Sequence, residues 1–175
     1  MTINRISQVQ EDLTAAPAPR IAGDMALITL EDLPDGALLA LDPGTKTIGV
    51  AACGASRGIP MAVETIKRTK FKQDAERIFA LYDERQAVAI VMGLPVNMDG
   101  SEGPRAQSVR AMIRNLIAMR DIPIAVQDER LSTFEAEEKL IAAGVRRDKR
   151  KDIIDAHAAA NILQSALDRL EMLGE

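Results

Sequence analysis

The sequence predicts a mixed α/β sheet with helices covering both of its faces. Three short apolar segments separated by turn residues come first, which is typical of strands joined by hairpins. Helical and extended segments then alternate to the end of the chain, which is typical of parallel strands joined by crossover helices. The 175 residues are 47% hydrophobic, with no Trp, one Tyr and three Phe, so we expect one domain with an aliphatic core.

The individual elements are predicted from turn, cap and periodicity signals. In “LALDPGTKTIGVA”, residues 39–51, Pro43 and Gly44 form a turn between two apolar strands. Pro104 favours the first position of a helix, and “STFE” is a capping box with Ser132 as the N-cap. The predicted order is strands 38–42, 47–53 and 59–66, helix 72–85, strand 87–92, helix 104–119, strand 122–127, and helices 133–143 and 152–172.

Residues 1–37 are predicted to be a tail or linker, and residues 38–175 to be the folded domain. “TAAPAPR” is typical of a linker, whereas “MALITLEDLPDG” permits a short edge element before the core. Residues 1–37 contain six acids and two bases, and the remaining chain contains 20 of each, so the net charge of −4 belongs to the N-terminal segment. The overall charge therefore does not exclude a nucleic-acid partner.

The composition excludes several classes of protein. The single cysteine, Cys53, excludes an internal disulfide and a thiolate zinc cluster, and one histidine disfavours any zinc site. No apolar run approaches the roughly 18 residues of a membrane span, and the N-terminus lacks the pattern of a signal peptide. We therefore expect a cytoplasmic protein with no membrane partner.

Acidic residues are predicted to meet at one edge of the sheet. Asp42 ends the first strand, and Asp128 and Glu129 follow the last one. In open α/β sheets, the loops that leave the carboxyl ends of neighbouring strands form the ligand-binding crevice. Asp152 and Asp155 lie three residues apart, on one face of the last predicted helix. Alternatively, Asp42 caps its turn, and the two helical acids complement the helix dipole.

A cluster of carboxylates without zinc ligands favours a hard cation. Mg²⁺ and Mn²⁺ take carboxylate and phosphate oxygens and retain bound water. Two such ions about 4 Å apart can activate a water molecule and stabilise the leaving oxygen of a phosphodiester.

Four blocks of the sequence match, in order, the motifs of a known family. The blocks are “LALDPGTKTIGVA”, “VMGLPVNMDGSEGPRAQSVRAM”, “DERLSTFEAE” and “DIIDAHAAANIL”, within residues 38–168. They resemble the YqgF/RuvX family of Holliday junction resolvases and pre-16S rRNA processing nucleases. The resemblance implies a ribonuclease H-like fold and phosphodiester hydrolysis that depends on Mg²⁺ or Mn²⁺. It implies that Asp42, Glu129 and Asp155 are catalytic metal ligands, with Asp128 and Asp152 ranked second.

Two segments are predicted to contact nucleic acid. Residues 93–107, “GLPVNMDGSEGPRAQ”, combine three glycines with donors at a predicted helix N-terminus, although an ordinary connection has the same composition. Residues 146–151, “RRDKRK”, would neutralise phosphates, or form a solvated loop. His157 lies roughly 200° around a helix from Asp155, so we expect a structural role. The predicted contacts are Lys46, Asn97, Arg105, Arg130, Arg146, Arg147, Lys149, Arg150 and Lys151.

The main function that the resemblance implies is processing of the 5′ end of pre-16S rRNA by a nuclease of ribosome biogenesis. The alternatives are a Holliday junction resolvase of DNA recombination and repair, and a catalytically silent nucleic-acid-binding module. An actin-like or sugar-kinase ATPase also uses a hairpin like “DPGTKTIGVA”, but the chain is short and has no second phosphate loop. The resolvase alternative implies a homodimer, since a junction resolvase needs two active sites.

Overall fold

The computed structural model describes residues 27–174, without the side chains of residues 131–135, 151–153, 155 and 156. Within this range, one six-stranded sheet is accompanied by five α-helices and a 3₁₀ turn at Leu30–Asp32. The strands are β1 (Leu27–Ile28), β2 (Ala37–Pro43), β3 (Thr47–Cys53), β4 (Met61–Lys67), β5 (Ala87–Leu94) and β6 (Ile124–Asp128). The helices are α1 (Phe71–Glu84), α2 (Pro104–Met119), α3 (Glu129–Ala142), α4 (Arg147–Ala156) and α5 (Ala158–Gly174).

The strand order of the sheet is β1-β6-β5-β2-β3-β4. The β2–β3 and β3–β4 pairs are antiparallel hairpins, whereas β5 is parallel to both β2 and β6. This arrangement confirms the predicted ribonuclease H-like mixed sheet. Because β2, β5 and β6 run in the same direction, their carboxyl ends lie at one edge of the sheet.

Helices cover both faces of the sheet, as predicted. Alternate residues of β2 point to opposite faces, so Leu39 and Leu41 pack with α1 and α2. Leu38 and Ala40 pack with α5. Alanines on this second face, at positions 40, 51, 89 and 125, allow α5 to lie close to the strands. Asp42 continues the Leu38–Ala40 series and therefore faces the α5 side.

The N-terminal edge of the sheet lies before the predicted domain start. β1 pairs in parallel with β6, which is the edge element that the sequence permits. Leu30 and Leu33 are buried in the core beneath α5, so the packed core includes residues on the N-terminal side of residue 37. Residues 1–26, most of the predicted tail, lie outside the described residues.

Two predicted helices have different boundaries in the structure. The prediction that α3 begins at residue 133 with Ser132 as the N-cap is wrong, because α3 begins at Glu129. Asp128 is the N-cap, and its carboxylate accepts a hydrogen bond from the backbone N–H of Arg130 at 2.9 Å. A cap at the end of β6 starts the helix without an intervening loop. All other boundaries except those of the last predicted helix lie within two residues of the prediction.

The predicted helix 152–172 is wrong as a single element, since His157 separates α4 from α5. α5 packs on the sheet, whereas α4 contacts α3, where Arg150 and Glu137 form an ion pair at 3.9 Å. Two helices with different packing partners need a break between them. The segment “RRDKRK” consequently lies mostly within α4 and is not a loop. Within residues 27–174, no helix combines the length and apolar character needed to cross a membrane.

Candidate active site

Asp42 and Glu129 form the centre of the candidate site. Asp42 lies near the end of β2, and Glu129 is the first residue of α3, directly after β6. Their carboxyl groups are joined by a hydrogen bond. We call these two residues the acid pair.

Gly93 allows the acid pair to form across the strand that separates its members. β5 lies between β2 and β6, and Gly93 is near its end. A Cβ at Gly93 would lie 2.7 Å from Oε1 of Glu129 and 2.5 Å from Cδ1 of Ile162. A side chain at this position would therefore displace the Glu129 carboxyl group.

The glycine opposite Asp42 has a looser environment. Gly49 of β3 pairs with Asp42 in the sheet. A Cβ there would lie 3.6 Å from the Cβ atoms of both Asp42 and Ala159, which is ordinary van der Waals contact. Of the two glycines, only Gly93 is in a position where a methyl group would push on the acid pair.

The acid pair holds a proton near neutral pH. Burial and the negative charge of Asp42 raise the pKa of Glu129 to about 7, and the hydrogen bond to Asp42 and the charge of Asp128 act in the same direction. The guanidinium of Arg105 lowers the pKa of Glu129 and so partly opposes these effects. Two carboxyl groups in contact cannot both ionise cheaply, so they share one proton.

Asp128, the neighbour of Glu129, has a different partner. Its carboxylate accepts hydrogen bonds from the guanidinium of Arg130, the shortest at 2.6 Å, and from the backbone N–H of the same residue. The hydrogen bonds from Arg130 hold the pKa of Asp128 below its ordinary value. Arg130 also donates to the carbonyl oxygens of Asn97 and Met98, at 3.0 and 3.1 Å. We call Asp128 and Arg130 the arginine clamp.

The remaining predicted acids belong to α4. Asp152 and Asp155 are the sixth and ninth residues of this ten-residue helix, and their side chains lie outside the described residues. The alternative that they complement the dipole of a helix start is wrong, because α4 begins at Arg147. Among the described side chains, no group of three or more Asp, Glu, His or Cys residues is arranged to hold a metal ion.

His157 lies on the same cleft as Asp42. The cleft has a volume of about 320 Å³ and lies between β3, β4 and the start of α5. Because His157 is the exposed residue at the break between α4 and α5, the argument from angles around one continuous helix does not apply to it. The cleft is lined in part by Asp42, Thr47, Glu64, Thr65 and His157.

A second cavity, of about 180 Å³, lies on the α2 side of the β2–β3 turn. Pro43, Val109 and Met112 contribute apolar lining, and Arg68 and Arg105 contribute positive charge. One guanidinium nitrogen of Arg68 donates to the carbonyl oxygen of the turn residue Gly44 at 2.6 Å. A cavity with apolar lining residues and two cations suits a nucleotide, whose phosphate would contact the arginines and whose sugar or nucleobase would contact the apolar lining.

Comparison with known proteins assigns the chain to a family. The model of the family described as “RuvX: Holliday junction resolvase” matches residues 36–169. The chain belongs to the RuvX family. This result confirms the resemblance predicted from the four sequence blocks.

RuvX-family relatives match this chain over most of its length. The “Putative pre-16S rRNA nuclease” of Bradyrhizobium sp. (strain ORS 278) is 57% identical over 138 residues, which are 79% of this chain and 86% of the relative. The protein of the same name from Rhodopseudomonas palustris (strain TIE-1) is 59% identical with the same coverage. The structure of T. thermophilus RuvC in complex with a Holliday junction substrate has a TM-score of 0.49 and 9% identity, and the match covers 74% of this chain and 92% of that chain.

The other predicted nucleic-acid contacts of this RuvX-family chain are scattered. Lys46 is exposed in the β2–β3 turn, and Asn97 donates its side-chain amide to Ser101 within the following loop. Arg146 forms an ion pair with Asp148 at 3.4 Å. Arg147 and Lys149 are exposed on α4, and the side chain of Lys151 lies outside the described residues.

Three features of the site were missed from the sequence. Arg68 follows β4 and has no motif that marks it. Gly93 belongs to the segment 93–107 that is predicted to contact nucleic acid, whereas in the structure it makes room for Glu129. The position of His157 on the cleft of Asp42 was missed because the sequence predicts one unbroken helix, in which His157 points away from Asp155.

Proposed function

We propose that this chain is a divalent-metal-dependent nuclease that hydrolyses phosphodiester bonds, with the 5′ end of pre-16S rRNA as its main substrate. The observation that carries this proposal is the acid pair, in which carboxyl groups from two different strand ends are in contact and Glu129 packs against Gly93 of the strand between them. Membership of the RuvX family and the names of relatives more than half identical to the chain support the same activity and disfavour an ATPase.

The donor set fits a hard cation. Asp42 and Glu129 offer only oxygen atoms, and we propose Asp155 of α4 as the third ligand, with Asp128 and Asp152 ranked behind it. Such a set suits Mg²⁺ or Mn²⁺. When bound, the metal would supply an activated water and stabilise the leaving oxygen of the phosphodiester.

The protein groups around the acid pair have distinct duties in this proposal. Glu129 holds the shared proton and gives it up when a cation binds, since both compete for the same oxygens. Arg68 and Arg105, on the α2 side, orient a phosphate next to the one that is cleaved. The cleft between Asp42 and His157 receives the strand on the α5 side. Asp128 and Arg130 fix the start of α3 and thereby the position of Glu129.

The basic residues of the predicted interface extend the proposed nucleic-acid contacts away from the acid pair. We propose that Lys46, Arg146, Arg147, Lys149, Arg150 and Lys151 contact the nucleic acid at more distant phosphates. We propose that Asn97 contacts it closer to the acid pair, and that Arg130 acts mainly through the clamp. Three basic residues of this set at and before the start of α4 are exposed, namely Arg146, Arg147 and Lys149, so their attraction for phosphates should weaken with salt.

A Holliday junction resolvase is the second candidate, because the family description carries that name. It would require a homodimer with two active sites. A catalytically silent binding module is the third candidate. For all three we propose a cytoplasmic location, which the single Cys of the sequence favours.

Cleavage assays with paired substrates test the proposal. A labelled pre-16S rRNA leader and a four-way DNA junction are incubated side by side with Mg²⁺, Mn²⁺ or EDTA. Wild type is compared with Asp42→Asn and with the matched control Asp121→Asn, at an exposed position before β6. Metal-dependent cleavage that is lost only in Asp42→Asn supports the nuclease and identifies its substrate. Binding without cleavage in the wild type would favour the silent module.

A further inference from the structure

Met98 is the most exposed of the large hydrophobic side chains in the described part of the chain. It is 90% exposed, compared with 82% for Ile59 and 71% for Met172. A single exposed apolar residue is common on protein surfaces and by itself indicates nothing. Met98 differs because of the hydrogen bonds that hold its loop and because Arg130 links it to the start of α3, where Glu129 lies.

The loop that carries Met98 is fixed by hydrogen bonds on both sides of it. The backbone N–H of Asn97 donates to the carbonyl oxygen of Ser101 at 2.8 Å, and that of Gly100 donates to the carbonyl of Asn97 at 2.9 Å. The carboxylate of Asp99 accepts from the backbone N–H and the hydroxyl of Ser101, at 2.9 and 2.6 Å. The apolar side chain is therefore held out into solvent by a tightly bonded turn.

The arginine clamp ties this turn to the active site. The guanidinium of Arg130 donates to the carbonyl oxygen of Met98 itself and also contacts Asp128, the N-cap of α3. Glu129 lies between the two clamp residues in sequence. The carbonyl oxygen of Met98 is thus separated from the backbone of Glu129 by one hydrogen bond, one arginine side chain and one peptide link.

The charges around Met98 favour contact with bases over contact with phosphates. Asp99 and Glu102 lie on the same loop, and Glu102 is paired with Arg110. A carboxylate next to the exposed methionine repels the phosphate backbone. The side chain of Met98 is unbranched and polarizable, so it packs well on the flat faces of nucleobases.

We propose that Met98 is an apolar wedge that inserts between nucleobases beside the scissile phosphate and unstacks them. Architectural DNA-binding proteins use methionine, leucine and phenylalanine in this way to kink a duplex. Unstacking would expose the backbone of a paired region to the acid pair. The inference rests on the proposed nuclease function, and it specifies a substrate that is stacked or paired at the cleavage position.

Fluorescence of 2-aminopurine measures this unstacking directly. The probes are an RNA stem and a four-way DNA junction, each with 2-aminopurine at successive positions around the cleavage site. The Asp42→Asn background prevents cleavage, and Mg²⁺ is present. Met98→Ala is compared with Met98→Leu, which keeps the apolar volume, and with Met172→Ala, a matched truncation at a remote exposed position on α5.

The expected result is a fluorescence rise at one or two positions with the parent, with Met98→Leu and with Met172→Ala, and little rise with Met98→Ala. In the cleavage-competent chain, Met98→Ala should reduce cleavage of paired substrate about tenfold and of an unpaired strand less than about twofold. An equal fluorescence rise with Met98→Ala, while wild type cleaves, would overturn the wedge and leave the nuclease standing. With that result, contact with another protein would be the better explanation for the exposure of Met98. Absence of both cleavage and fluorescence change would overturn both proposals.

Discussion

The acid pair and the arginine clamp lie side by side at the same edge of the sheet, and each contains one of two consecutive acids. The clamp surrounds Asp128 with hydrogen-bond donors, which lowers its pKa and fixes it in place. The acid pair sets Glu129 against another carboxyl group, which raises its pKa to about 7. In the proposed function, Asp128 positions the start of α3, and Glu129 exchanges its proton for a cation.

The largest expected effect separates these two acids. Glu129→Gln keeps the size of the side chain but removes its negative charge, so cleavage should fall on the order of 10³-fold. Asp128→Asn should reduce cleavage about tenfold, since it weakens the clamp and leaves the three first-ranked ligands in place. Single-turnover cleavage rates at saturating metal measure both. If Asp128→Asn is the more damaging change, the two roles are assigned the wrong way round.

The second prediction uses the two glycines next to the acid pair. Gly93→Ala should reduce cleavage about 100-fold, because the new methyl group displaces the flexible end of Glu129 and the side chain of Ile162. Gly49→Ala should change cleavage less than about threefold, since it makes only ordinary contacts. Cleavage rates and thermal unfolding are compared for both variants. Equal activity of the two variants would contradict the role given to Gly93.

The third prediction breaks the clamp itself. Arg130→Ala removes the fork that joins Asp128 to the Met98 turn, so cleavage should fall about tenfold and the turn should become more mobile. Arg130→Lys should not restore the rate, because an ammonium cannot reproduce the fork. Hydrogen exchange at residues 97–101 checks the mobility. Unchanged protection of these amides in Arg130→Ala would show that the turn is held without the clamp.

The fourth prediction is a pH dependence of the stability of the metal-free protein. The pKa of Glu129 is about 7 in the folded chain, above its ordinary value of 4.5. Its protonation therefore stabilises the fold at low pH, and this contribution is lost as the pH rises through 7. Between pH 4.5 and about 7, wild type should therefore lose stability relative to Glu129→Gln, as measured by thermal unfolding in EDTA. An identical pH profile for the two proteins would contradict the raised pKa.

Metal binding should show the opposite trend with pH. Since a cation needs the deprotonated acid pair, affinity for Mn²⁺ should rise about tenfold per pH unit below 7 and level off above it. Calorimetric titrations at pH 6, 7 and 8 measure this trend. Affinity that does not vary with pH would mean that the acid pair loses no proton when the metal binds.

The local parts of this fold were predicted well because they depend on short stretches of sequence. The hairpin of β2 and β3 follows from the Pro43–Gly44 turn between two apolar runs, and α2 begins at Pro104 as expected. The position of Asp42 near a strand end follows from the same hairpin. The N-cap of α3 was predicted at the wrong residue. The segment “STFE” has the sequence of a capping box, but Asp128 at the end of β6 caps the helix four residues earlier in the chain than “STFE” begins.

The sequence by itself determined the order of the elements, the family, and the arrival of acids at the ends of strands, because periodicity and motifs are local properties of the chain. Only the tertiary structure decided that Glu129 rather than Asp128 contacts Asp42, and that Gly93 makes this contact possible. It also decided that His157 interrupts a helix and lies on the cleft of Asp42. These features depend on the parallel alignment of β2, β5 and β6 and on the packing of α5, which bring together residues far apart in sequence.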